Sequence, residues 1–195
     1  MTLLLVRHAE PVAPGAAGYE ENERPLSEAG RAQALLLAEQ LGSIEVGAVY
    51  SSPYPRARQT VEPLAQRLGM PITVVPDLRE RLLGTAPLPD WADHVERSWS
   101  DFSYALEGGE SSAAAQERMW RVLGPLAERH RDDAAVVASH GNLIALALHR
   151  LAGPAVDFEF WRSMPLPAVY SIDADGSVEG PGLGTPSTVD VQRPP

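Results

Sequence analysis

Apolar residues in this chain gather in short unbroken runs, set apart by longer stretches of helical period. The first run, TLLLV (2–6), leads into Arg7 with no polar alternation, the pattern of a strand buried on both faces. VGAVYSS, MPITVVPDL and DAAVVAS repeat that pattern as a second, third and fourth strand, the last ending at His140. LSEAGRAQALLLAEQLG has helical spacing, with Ser27 placed to cap its start and Gly42 its end. Pro55 suits the first position of a helix running to about Leu68. ESSAAAQERMWRVLGPLAERHRD is helical to about Arg131, with a bend expected near Pro125, and GNLIALALHRLAG is the helix after the fourth strand. AVYSIDADGSVEG reads as a late hairpin turning at Asp175-Gly176. Strands that alternate with helices predict a three-layer α/β/α sandwich around a mostly parallel sheet.

Residues 1–180 are expected to form one domain, followed by a loosely held tail over 181–195. PVAPGAAGYEENERP (11–25) is a loop rich in Pro, Gly and Glu. The least regular part is 82–109, a short cap segment with one short helix and the aromatics Trp91, Trp99, Phe102 and Tyr104. The Trp and Phe residues among them are read as packing. No internal repeat is present.

Charge narrows the partners. The net charge is −10 and the basic residues are all arginine, which disfavours nucleic acid or an anionic membrane over any broad surface. A small anion can still bind where a few arginines converge. Without cysteine, disulfides, thiolate catalysis and cysteine-ligated zinc drop out. The N-terminal apolar run is too short for a membrane span and lacks the basic start of a signal peptide, so cytoplasm is the expected compartment.

The chemistry lies where the strands stop. A buried arginine beside a histidine costs several kcal/mol, of order, unless an anion meets it. The first strand ends at Arg7-His8 and the fourth at His140, and ligands of open α/β sheets bind outside such carboxyl ends. SSPYPRARQT puts Arg56 in a helix's first turn, slightly unfavourable for a cation unless an anion lies close. LRERLLG brings Glu80 from the third strand to the same edge. Two arginines, two histidines and one carboxylate suit a phosphoryl group and a proton donor for its leaving oxygen. A metal site of His8, His140 and Glu80 is disfavoured, because the arginines would repel a divalent ion. Arg58, Arg79 and Arg81 read as surface charges, and His94, His130 and His149 as solvent-facing.

VRHAE, RPLSEAGRAQA, SSPYPRARQT, LRERLLG, GGES and VVASHGN occur in an order and spacing that resembles the histidine phosphatase superfamily, the phosphoglycerate mutase-like family, over roughly residues 2–172. The resemblance implies that His8 is the nucleophile that becomes phosphorylated, that Arg7, Arg56 and His140 bind the phosphate, and that Glu80 is the acid-base carboxylate. It implies a metal-independent phosphatase that needs no cofactor and acts on a small phosphorylated substrate. A mutase, a non-catalytic phospholigand-binding module and a homodimer stay open. The chain departs from the family where Ala9 replaces a common glycine, where Pro14 stands for an asparagine, and where TAPLP follows Gly84 in place of a tryptophan-glutamate-glycine triplet. These departures leave the catalytic set intact and the identity of the substrate open.

Overall fold

The computed structural model describes residues 2–85 and 89–183. The strands are β1 (Thr2–Arg7), β2 (Val46–Ser51), β3 (Ile72–Val74), β4 (Ala134–Ser139), β5 (Ala168–Asp173) and β6 (Val178–Glu179). They form one sheet in the order β3-β2-β4-β1-β5-β6. β3, β2, β4 and β1 run parallel, and the β5-β6 hairpin turns back antiparallel beside β1.

Helices cover both faces: α1 (Glu28–Leu41), α2 (Pro55–Leu68), α3 (Trp91–Ser100), α4 (Ser112–Arg129), α5 (Gly141–Ala152) and α6 (Phe158–Ser163). The unbroken apolar runs explain the three layers. Leu3 and Leu5 of β1, with Ala135 and Val137 of β4, face a core shared with α4, α5 and α6. Leu4 and Val6, with Val136 and Ala138, face the second core under α1 and α2. Each such buried Leu or Val side chain contributes about 1.5–3 kcal/mol, an upper bound on folding. The Ser27 hydroxyl caps α1 by accepting from the Gly30 amide at 2.9 Å. α2 begins on Pro55, and Gly69, just past its last residue Leu68, takes the left-handed turn at a φ of 66°.

Several expectations need correcting. β3 is only three residues long and stops at Val74, so 75–78 do not extend the strand. α6 was not expected, being too short to show a period. Leu183 is buried and bridges to Gly180, so the described start of the expected loose tail is held. The rest of that tail, and residues 86–88 of TAPLP, lie outside the described residues. His130 is buried, not solvent-facing, because Tyr50 Oη (3.0 Å) and Asp133 Oδ1 (2.8 Å) both reach its ring. His149 bonds the Val156 carbonyl and packs on Trp99 and Phe102, while His94 bonds Tyr104 Oη at 2.7 Å. Arg81 is also buried, between Ser98 and Ser112.

Candidate active site

β1 and β4 pair with Arg7 opposite Ser139, so the residues that leave the two strands emerge together. The His8 amide donates to the Ser139 carbonyl at 3.1 Å, and the His8 and His140 rings meet edge to face with centroids 5.3 Å apart. β2 reaches the same edge, where the Ser52 amide donates to the Ala138 carbonyl at 2.9 Å. Arg56 follows as the second residue of α2. The carboxyl edge of three parallel strands thus gathers Arg7, His8, Arg56 and His140.

The geometry settles which nitrogen of His8 is free. Its Nδ1 lies 2.7 Å from the Ala9 carbonyl oxygen, which can only accept. Nδ1 therefore carries the proton and Nε2 keeps its lone pair. Burial, then the charge of Arg56 and more weakly of Arg7 and Arg24, pushes the His8 pKa down to about 3. At neutral pH the ring is an uncharged base. Ala9, the departure from the common glycine, is accommodated: it packs with Leu26 and Ala34, and its amide donates to Thr60 Oγ1 at 2.8 Å.

His140 is fully buried, with Nε2 2.7 Å from Ser52 Oγ. Its pKa also falls well below the usual value, through burial first and then the neighbouring His8 and Arg56. His140 Nδ1, Arg7 Nε and Arg56 Nε are buried with no partner among the described residues. Arg7 Nη1 is anchored by the Met164 and Pro165 carbonyls, and the guanidinium lies flat against Gly141. A Cβ at 141 would sit 2.9 Å from Arg7 Nε, so glycine at the start of α5 leaves room for the cation. Arg56 is 2% exposed. Its Nη1 donates to the Glu21 carbonyl at 2.5 Å, and its Nη2 lies 3.3 Å from Glu21 Oε1.

Glu80 comes to the site by a different route from the one expected. β3 ends six residues earlier, and a turn over Pro76–Leu78 carries the chain to the first turn of α5. There Glu80 Oε1 accepts from the Arg81 amide (2.8 Å) and the Leu143 amide (3.0 Å), and Oε2 from the Asn142 amide (3.1 Å). A carboxyl group on a helix N-terminus suits the dipole. Both lone pairs of Oε1 are engaged, so Oε2 is the oxygen with room for a proton. Glu80 and Arg56 line one cleft of about 480 Å³ with Tyr54, Glu20, Glu21 and Arg79, a size suited to a small ligand.

Sequence reasoning passed over four contributors: Ser52, Tyr54, Thr60 and Glu21. Three of them stand inside SSPYPRARQT, and the signal was their position in that block. Tyr54 lies edge-on to His140 at 4.9 Å and under the Arg56 guanidinium at 5.0 Å. Among the described residues, no three His, Asp or Glu side chains are grouped to hold a metal ion. A neutral imidazole, converging cations and a carboxyl group can together transfer a phosphoryl group.

Comparison with known proteins agrees with that chemistry. The chain is 31% identical over 154 residues to a metal-independent phosphoserine phosphatase of Arabidopsis thaliana, covering 73% of this chain and 65% of that one. It thus spans just under two thirds of that relative's length. It is 30% identical over 175 residues to a glucosyl-3-phosphoglycerate phosphatase of Mycolicibacterium vanbaalenii, covering 80% and 76% of the two chains. A mycobacterial glucosyl-3-phosphoglycerate phosphatase solved with inorganic phosphate has the same fold, with a TM-score of 0.73 at 23% identity over 97% of this chain and 99% of that one. A profile of the histidine phosphatase superfamily, branch 1, matches residues 3–178. With residues 3–178 matched by that profile, nearly its whole length, the chain belongs to the histidine phosphatase superfamily.

Proposed function

We propose that this protein is a metal-independent phosphatase of small phosphomonoesters that works through a phosphohistidine at His8. The observation that carries this reading is the set of unpartnered buried nitrogens, Arg7 Nε, Arg56 Nε and His140 Nδ1, around the neutral His8 ring. Buried polar groups find partners almost without exception, and a phosphate's oxygens supply them here. This also answers why the β1 strand ends in a cation beside a histidine.

In the first step His8 Nε2 attacks phosphorus in line, forming the N–P bond as the P–O bond to the leaving alkoxide breaks. The arginines and His140 hold the equatorial oxygens, and a proton on Glu80 Oε2 passes to the leaving oxygen. In the second step water attacks phosphorus and gives its proton to the Glu80 carboxylate. The N–P bond breaks, returning neutral His8 and inorganic phosphate.

The test is phosphate release, with EDTA present, from a panel of sugar phosphates, phosphoglycerates, nucleotides and phosphopeptides. Acid-labile label from a ³²P-ester should appear on His8 of wild type quenched during turnover, and not on His8→Ala. Label on a serine would sink the mechanism. Exchange between phosphoesters without phosphate release would establish a mutase instead.

A further inference from the structure

Glu80 stands on irregular chain, one short turn beyond β3, yet a proton donor must be held close to its acceptor. What holds it is a buried guanidinium from another helix. Arg118 of α4 is 3% exposed and borders no part of the 480 Å³ cleft. Its Nη1 donates to the carbonyl oxygens of Asp77 (2.5 Å) and Arg79 (3.0 Å), gripping the backbone just before Glu80. Its Nε and Nη2 donate to the two oxygens of Glu110, at 2.7 and 2.6 Å. Glu110 is in turn fixed to the far side of the same segment, because its amide donates to the Leu82 carbonyl at 2.7 Å. The stretch 77–82 is thus tied at both ends to one ion pair, with Glu80 between the ties.

We propose that Arg118, held by Glu110, is a positioning residue for the acid step and acts on that step through the placing of Glu80. This rests on the phosphatase reading above. An Arg is required in that reading: one planar fork spans two carbonyls and a carboxylate, which an ammonium group cannot do at once. A bare structural ion pair would have no reason to favour one leaving group over another, whereas a displaced acid fails where the leaving oxygen is most basic.

The experiment measures kcat/KM, which covers steps up to loss of the leaving group, for an alkyl phosphate and for p-nitrophenyl phosphate. Wild type, Arg118→Met, Arg118→Lys, Glu80→Gln and the Arg118→Met/Glu80→Gln double variant are compared, with thermal melts for each. Arg118→Met should lose about 10²-fold on the alkyl ester, the scale of a displaced catalytic group, and much less on the nitrophenyl ester. In the Glu80→Gln background the same change should add nothing on the alkyl ester, since the acid is already gone. Arg118→Lys keeps the charge without the fork and should show the same selective loss, which also serves if Arg118→Met does not fold. Equal losses on both esters, an undiminished effect in the Glu80→Gln background, or full activity in Arg118→Lys would each overturn the inference while wild type still turns over. Wild type releasing phosphate from neither ester would overturn the phosphatase reading itself, and this inference with it.

Discussion

The carbonyl oxygen of Ala9 accepts a 2.7 Å hydrogen bond from His8 Nδ1, and this single contact decides both the tautomer and the direction of attack of the imidazole. The contact favours a protonated ring, but burial and the arginines outweigh it and take the pKa to about 3. A stability effect follows, with a definite sign. Unfolded, His8 takes up a proton as the pH falls through the usual 6.5, while folded His8 stays neutral until about pH 3. The unfolded state then binds more protons, so stability falls as pH drops from 6.5 toward 3, by at most about 1.4 kcal/mol per pH unit for each such histidine. Urea unfolding of wild type and His8→Ala at pH 7 and pH 5 checks it. The alanine variant should lose less stability between the two pH values. Equal losses would mean that folded His8 titrates normally.

The cations should act as a set on phosphate. Arg7→Ala, Arg56→Ala and His140→Ala should each lower kcat/KM by about 10²–10³-fold, the range for a preorganised donor to developing charge. Inorganic phosphate should raise the melting temperature of wild type, by the equivalent of about 2.7 kcal/mol at one hundred times its Kd. Each substitution should shrink that shift. Stabilisation by a divalent metal, with no response to phosphate, would contradict the assignment of the unpartnered nitrogens.

Ser52 gives a finer test. Its Oγ receives the Tyr54 amide at 3.2 Å and lies 2.7 Å from His140 Nε2. If the hydroxyl proton goes to Nε2, His140 carries its own proton on Nδ1, the nitrogen without a partner, and points it at the phosphate. Ring-nitrogen NMR should show the Nδ1–H tautomer in wild type and a mixture in Ser52→Ala. The variant should also lose about 10-fold in kcat/KM, roughly the worth of one buried hydrogen bond. An Nε2–H tautomer in wild type would reverse the roles of the two nitrogens.

The parts of the fold legible in the sequence were those encoded locally. TLLLV and DAAVVAS announce doubly buried strands because their apolar runs are unbroken by polar alternation, and a strand's carboxyl end then places Arg7, His8 and His140 without further information. Glu80 was legible as a residue but not as a position. Its perch depends on amides at 142 and 143, more than sixty residues away. The errors share that cause. His130 looked solvent-facing among charges, but Tyr50, eighty residues earlier, buries it. Arg81 looked like the second of two surface arginines in LRERLLG, yet hydroxyls at Ser98 and Ser112 allow it inside. A polar residue's burial is set by partners the local pattern does not contain.

The last prediction separates Glu80 from the carboxylates near it. General-acid catalysis contributes in proportion to the charge developing on the leaving atom, typically about 10²–10⁴-fold. An alkyl phosphate leaves as a strongly basic alkoxide and needs the proton, whereas nitrophenolate is already a stable anion. Glu80→Gln keeps an oxygen for the Arg81 and Leu143 amides, turns an NH2 toward the Asn142 amide in place of the second oxygen, and has no acidic proton, so two of the three perch bonds survive while the donor is lost. Its kcat/KM should fall by about 10²-fold or more on the alkyl ester and little on p-nitrophenyl phosphate. Asp77 is the control, since its carboxylate pairs with Arg79 at 3.1 Å and makes no bond to α5. Asp77→Asn should affect both esters weakly and alike. Equal losses on both esters in Glu80→Gln would mean that Glu80 only organises the cleft. The acid would then have to be Glu10, which lies two residues after His8 and bonds the Ser27 hydroxyl at 2.9 Å.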